Sequence, residues 1–208
     1  MSKSIKPVIK WSGSKRSQAY EIVSKIPAYN RYFEPFLGGG SVMYALNPSN
    51  AICSDICEPL IKLWEVIKKD PVGLADYYRE QWERMQKEGY QVYYEIRDRF
   101  NSSFSPYDLL FLSRTCVNGL IRFNRDGHFN NSLHYSRKGI NPKTLKDIIL
   151  DWSSRIQNVE FKACDYKEAT KEAGDGDFIY LDPPYFNTKG RYYNLLTIDF
   201  DEFFDYLR

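Results

Sequence analysis

Short apolar runs punctuated by glycine, proline and acids open this chain, and a helical spacing of apolar residues fills its middle. Residues 15–26 read as a helix that Pro27 ends. Tyr32-Phe33-Glu34-Pro35-Phe36 reads as a strand running into Gly38-Gly39-Gly40. A helix is expected from Ser41, whose hydroxyl suits an N-cap. Ala51-Ile52-Cys53-Ser54-Asp55 is a second strand ending on a carboxylate. Strand, glycine turn, helix, strand and acid together open a doubly wound α/β domain.

From Glu58 the period changes. Leu60, Leu63, Trp64 and Ile67 share one helical face, and segments 74–88, 90–100 and 106–117 carry the same spacing. Residues 118–141 are rich in Gly and Asn and poor in strand pattern. A further helix sets Leu145, Ile148, Ile149, Trp152 and Ile156 on one side. Then the α/β pattern returns. Residues 159–163 and 177–181 read as strands, the second leading to Asp182, and Phe200, Phe203, Phe204 and Leu207 mark a last helix. The chain is therefore expected to split one α/β domain over 1–57 and 150–208, around a mainly helical insertion at 58–149.

Composition narrows the partners only locally. A net charge of +2 over 208 residues gives no argument for nucleic acid. Between Leu110 and Lys146, however, Arg114, Arg122, Arg125, Arg137, Lys138, Lys143 and Lys146 face a single acid, Asp126. Asn118, Asn124, Asn130 and Asn131 are interleaved with them. Arg and Asn read guanine and adenine edges bidentately, and other cations hold phosphates, so this stretch is a candidate nucleic-acid face. A solvated basic loop is the alternative. Aromatic residues at 16% suit the stacking of flat rings, or a tyrosine-rich core. No apolar run is long enough to span a membrane, and no signal peptide is expected. Four cysteines without a CxxC pair and two histidines without zinc spacing read as reduced thiols of a cytoplasmic protein with no metal.

The sharpest chemistry lies in Asp182-Pro183-Pro184-Tyr185, at the carboxyl end of an expected strand, where open α/β sheets bind ligands. Consecutive prolines hold the backbone extended and remove two donors, which leaves the Asp182 carboxylate and the local carbonyls as an acceptor array. Such an array can grip the two N–H groups of an aromatic amine such as adenine N6 and localise its lone pair for in-line attack on a methyl-sulfonium carbon. Tyr185 offers a flat face for an extruded base. The alternative is a proline-rich turn after a buried strand. Gly38 and Gly40 permit close backbone approach at the first strand-to-helix turn. Asp55 ends the next strand where ribose hydroxyls bind, with a helix-capping role as the alternative. In Lys10-Trp11-Ser12-Gly13-Ser14-Lys15, Trp11 can pack on a cofactor and Lys15 can pair with a carboxylate, although a solvated helix start accounts for them equally well.

These marks, in this order, resemble the α-group DNA adenine-N6 methyltransferases of the Dam type. They are Lys10-Trp11-x-Gly13-x-Lys15, Glu34-Pro35-Phe36-x-Gly38-x-Gly40, Asp55, Asn118-Gly119-Leu120-x-Arg122-x-Asn124, Gly127-x-Phe129-Asn130 and Asp182-Pro183-Pro184-Tyr185. The resemblance implies a Rossmann-like class I methyltransferase sheet with an inserted target-recognition domain. It implies S-adenosyl-L-methionine at Trp11, Lys15, Phe36, Gly38, Gly40, Asp55, Asp165 and Asp182, with Asp165 near the cofactor's adenine. It implies transfer at Asp182, Pro183 and Tyr185, and double-stranded DNA at Lys10, Asn118, Leu120, Arg122, Asn124 and Arg137. A monomer that flips its adenine out of the duplex, in maintenance or restriction-modification methylation, is the expected setting. Three departures stand out. Gly39 is an additional glycine. Leu112-Ser113-Arg114-Thr115-Cys116-Val117 replaces the family's usual approach to the Asn-Gly-Leu run. Only 23 residues follow Tyr185, so a C-terminal fragment is an expected further partner, and a silent DNA-binding remnant or half of a split enzyme are the alternatives to an active enzyme. An RNA adenine methyltransferase is a more distant one.

Overall fold

The computed structural model describes residues 4–136, 138–184 and 198–208. Four short strands build one parallel sheet: β1 (Tyr32–Glu34), β2 (Ala51–Ser54), β3 (Val159–Lys162) and β4 (Phe178–Ile179), in the order β3-β2-β1-β4. Tyr32 pairs with Ala51 on one side and Phe178 on the other, and Ala51 pairs in turn with Val159. Every residue of β1 and β2 is buried, as expected of central strands in a parallel sheet. The chain leaves β1 for β2 on one side and returns to its other side as β4. The crevice between β1 and β4 at their carboxyl ends is therefore the topological switch point.

The helices follow the apolar spacing, with corrected ends. They are α1 (Ala19–Val23), α2 (Ser41–Leu46), α3 (Glu58–Lys69), α4 (Pro71–Glu88), α5 (Gln91–Ser103), α6 (Pro106–Thr115), α7 (Pro142–Arg155), α8 (Tyr166–Thr170) and α9 (Phe200–Tyr206). Local chemistry explains several boundaries. Asp70 accepts from the Gly73 N–H, and Pro71 starts α4 without losing a bond. Asn141 caps α7 through the Lys143 and Thr144 amides, again followed by proline. α3 packs on β3, and α8 on β2. Trp64 of α3 and Trp152 of α7 meet with ring centroids 5.1 Å apart, both fully buried, under the glycine turn.

Several expectations need correction. The first helix covers only five residues of the expected 15–26, and before it Ser14 bonds Ser41 and Lys15 bonds Asp182. Ser41 does not cap α2. Gly40 is the N-cap, in the left-handed region at φ 61°, and the Ser41 hydroxyl bonds Ser14 instead at 2.7 Å. The strand expected over 177–181 pairs as a strand only at Phe178–Ile179, although the Tyr180 N–H still donates to the Phe33 carbonyl. The 118–141 stretch is not featureless. Cys116 bridges Leu133 and Phe123 bridges Phe129, both antiparallel, so residues 116–133 fold back as an irregular hairpin.

Candidate active site

The cleft is walled by the turn after β1, the end of β4 and the segment 10–15. Gly38 sits at φ 49°, and a Cβ there would fall 2.7 Å from Trp11 Cδ1. The position thus needs glycine twice over, for its backbone and for the indole laid against it. Gly40 is similarly confined, since a Cβ would meet Met43 at 2.9 Å and Trp64 at 3.2 Å. The Trp64 indole donates to the Gly38 carbonyl at 3.1 Å, which fixes the turn from below. Trp11 therefore packs on the glycine turn itself and is half-buried.

Asp55 reaches back from the end of β2 to the same turn. Its Oδ2 accepts the Gly38 N–H at 3.0 Å, and its Oδ1 accepts the Cys57 N–H at 3.0 Å. Burial pushes its pKa up, and the two amides pull the other way. Each oxygen keeps a lone pair for a hydroxyl donor. Phe36 lies between Tyr166, with ring centroids at 5.7 Å, and Phe203, at 5.9 Å. Asp165 is exposed and caps α8 by accepting the Glu168 N–H at 2.9 Å, a structural job beyond the one expected of it.

Asp182 and Lys15 meet in this cleft. The Lys15 ammonium donates to both carboxylate oxygens at 2.6 Å and to the Gly13 carbonyl at 3.2 Å. Their side chains are 19% and 25% exposed, so the pair is only partly screened. Pro183 follows at the same rim; Tyr185 lies outside the described residues. Glu34 joins the group without having been expected to. It is 3% exposed at the end of β1, and burial pushes its pKa up to about 8. The resemblance included Glu34 as a motif letter, but nothing local in the sequence signals that its carboxyl is buried.

The expected DNA-contacting residues cluster at one hairpin. Lys10 lies across Gly119, where a Cβ would fall 2.2 Å from Lys10 Cδ. Asn118 takes the left-handed conformation at φ 57°, exposed beside it. Along the hairpin Ile121, Phe123, Phe129 and Leu133 point inward. Arg122 and Asn130 point outward, with Leu120 and Asn124 half-buried. Asn130 Oδ1 accepts the Arg122 Nε–H at 2.8 Å, which pre-sets the guanidinium. Asn124 is occupied differently, since its Oδ1 takes the Asp126 and His128 amides at 2.9 Å and shapes the tip. Two cations of the basic stretch leave the patch. Arg114 turns inward to the Pro7 carbonyl, and burial pulls its pKa down to about 10. Lys146 faces Asp76 at 3.7 Å. Arg137 lies outside the described residues.

A parallel sheet in this order, with a glycine turn and an acid-proline-proline segment at its switch point, defines a Rossmann-like methyltransferase fold. The chain belongs to the D12 class N6 adenine-specific DNA methyltransferases, whose family model matches residues 11–207. It is 32% identical over 87% of its length to the type II methyltransferase M1.LlaDCHI of Lactococcus lactis, covering 66% of that protein. It is 31% identical over 85% of its length to the DNA adenine methylase of Serratia marcescens, again covering 66%. With the DNA adenine methylase of Escherichia coli K12 the identity is 30%, over 85% of this chain and 64% of the relative. The chain thus spans about two thirds of the length of these relatives.

Proposed function

We propose that this protein transfers a methyl group from S-adenosylmethionine to the N6 amino group of adenine in a specific duplex DNA sequence. The observation that carries the proposal is the placement of Asp182 beyond the carboxyl end of β4, at the same switch-point crevice as the Gly38–Gly40 turn, with Lys15 bonded to it.

The cofactor suits the residues present. Gly38 and Gly40 give a turn without side chains, Asp55 has acceptor capacity left for ribose hydroxyls, and Phe36 and Trp11 offer apolar surface. Lys15 is the cation for a carboxylate end, and Asp165 stands over β3 for the adenine edge. When bound, the cofactor supplies an electrophilic methyl carbon on a cationic sulfur. No metal is assigned a part.

The protein's own residues do the rest. Asp182 and the carbonyls around Pro183 accept the two N6 hydrogens, and so return the nitrogen lone pair from the ring to the attacking direction. As the N–C bond forms, N6 becomes acidic and Asp182 is the acceptor at hand for its proton. Tyr185 is assigned the face on which the extruded base stacks. Residues 58–149 form the target-recognition part, with Asn118, Leu120 and Arg122 at base edges and Lys10 and Arg137 as companions. Duplex DNA is the partner, the protein acts as a monomer, and its setting is the cytoplasm. Among the described residues no helix is long and apolar enough to cross a membrane.

Transfer of tritiated methyl to unmethylated duplex DNA, with an Asp182→Ala control, tests this. Label at adenine N6 with the unaltered chain only is the expected result. Salt-sensitive DNA binding without label would instead identify a silent binding module.

A further inference from the structure

Of the asparagines in the 116–133 hairpin, Asn131 is the buried one. It is 8% exposed, whereas Asn118 and Asn130 are exposed and Asn124 is half-buried. Its side-chain amide donates to two carbonyls, that of Val117 at 2.9 Å and that of Leu120 at 2.8 Å. Its Oδ1 accepts the Ser132 N–H at 2.8 Å, and this pattern of partners fixes which way the amide points. The backbone of Asn131 is itself fastened to α5, because the buried Tyr93 hydroxyl donates to its carbonyl at 2.9 Å.

The two carbonyls are the ends of one tight turn. The Leu120 N–H donates to the Val117 carbonyl at 3.2 Å, and the residues between them, Asn118 and Gly119, have φ of 57° and 65°. A turn with positive φ at both central positions suits an Asn-Gly pair. A residue with a side chain keeps such a backbone only where its surroundings hold it. By bridging the first and last carbonyls, the Asn131 amide spans the turn from its buried side and holds Asn118 at the exposed one. An aliphatic side chain would fill the same space without burying an amide. It would leave each carbonyl with one donor fewer and the turn free to relax.

We propose that Asn131 is a specificity-determining positioning residue, which through the Val117–Leu120 turn sets where Asn118 stands against the DNA bases. The proposal rests on the function given above, in which Asn118 lies at a base edge. Sequence preference, rather than cofactor binding, then depends on Asn131.

The test uses the whole chain. Duplexes that the unaltered protein selects from a randomised pool are compared in competition binding with the pool itself, at fixed salt. Asn131→Leu keeps the approximate size and removes both donors. It should lose about tenfold in preference for the selected duplexes, as the loss of buried hydrogen bonds implies. Affinity for the pool and for S-adenosylmethionine should change less than about twofold. Asn131→Asp, the same shape with an acceptor in place of the donors, should lose at least as much preference. In an Asn118→Ala background, Asn131→Leu should change the preference less than about twofold, because the residue it positions is gone. An unchanged preference in folded Asn131 variants, a loss that persists undiminished without Asn118, or equal weakening on all sequences would overturn the proposal. So would failure of both variants to fold, which would make Asn131 a residue of stability alone. A chain that selects no sequence and transfers no methyl would refute the proposed function, and this role with it. A selecting chain whose Asn131 variants select equally well would refute this role alone.

Discussion

The Lys15 ammonium stands 2.6 Å from each carboxylate oxygen of Asp182, across 167 positions of sequence. The bond joins the amino-terminal motif to the strand end that carries the reactive acid. It also occupies the acceptors that an adenine amine requires. On the proposed function Lys15 passes to the cofactor's carboxylate and so releases Asp182 for the base.

Replacing Lys15 by methionine removes the partner of a half-buried carboxylate. The expected loss is about 1–3 kcal/mol of stability, less than for a fully buried pair because both groups retain some solvent. S-adenosylmethionine affinity should fall about tenfold, the equivalent of about 1.4 kcal/mol. Thermal melts and titration calorimetry measure both. An unchanged affinity would show that Lys15 serves Asp182 alone.

Gly38→Ala meets two obstacles, a φ of 49° and the Trp11 ring 2.7 Å from the new Cβ. The expected cost is about 1–3 kcal/mol, with loss of cofactor binding because the indole is displaced. Adding Trp11→Ala should relieve the collision but not the backbone strain, so stability should recover only in part. Full recovery in the double variant would locate the whole effect in the collision.

The pKa of Glu34 also sets a pH dependence of stability. Its folded pKa of about 8 exceeds the ordinary 4.5, so the folded protein holds a proton that the unfolded chain has released between those values. The contribution is fully present below the lower pKa and is lost as pH rises through the higher, by about 1.4 kcal/mol per pH unit inside the window. Glu34→Gln should therefore melt increasingly higher than the unaltered protein as pH rises from about 5 to about 8. A pH-independent difference would mean that Glu34 is ionised throughout.

Much of this architecture was legible because it rests on local pattern. The uniformly apolar 51–53 run announces a central strand, and Leu60, Leu63, Trp64 and Ile67 announce the buried face of α3. What sequence concealed was long-range. The helix expected from residue 15 begins at Ala19, and before it Lys15 bonds Asp182 and Ser14 bonds Ser41. Arg114 looked like part of a basic surface, yet its guanidinium is directed to the Pro7 carbonyl. The hairpin at 116–133 escaped because its two isolated bridges sit among Gly and Asn rather than in an alternating run. Glu34 carried no local sign of its burial, which only the folded chain supplies.

At the proposed DNA face, Arg122→Ala should weaken discrimination between target and non-target duplexes by about 1–3 kcal/mol, as a bidentate base contact would. Asn130→Ala should reproduce part of that loss, because Asn130 orients the guanidinium. Competition binding at fixed salt separates the outcomes. Equal weakening on all sequences would make Arg122 a phosphate contact.

The most direct test of the whole account is the single-turnover rate of methyl transfer to duplex DNA in Asp182→Asn, with cofactor and DNA affinities measured alongside. The account expects the rate to fall about 10²–10³-fold, as for loss of one preorganised group at a reacting centre, while both affinities stay within a few-fold. A rate unchanged by the substitution would contradict it.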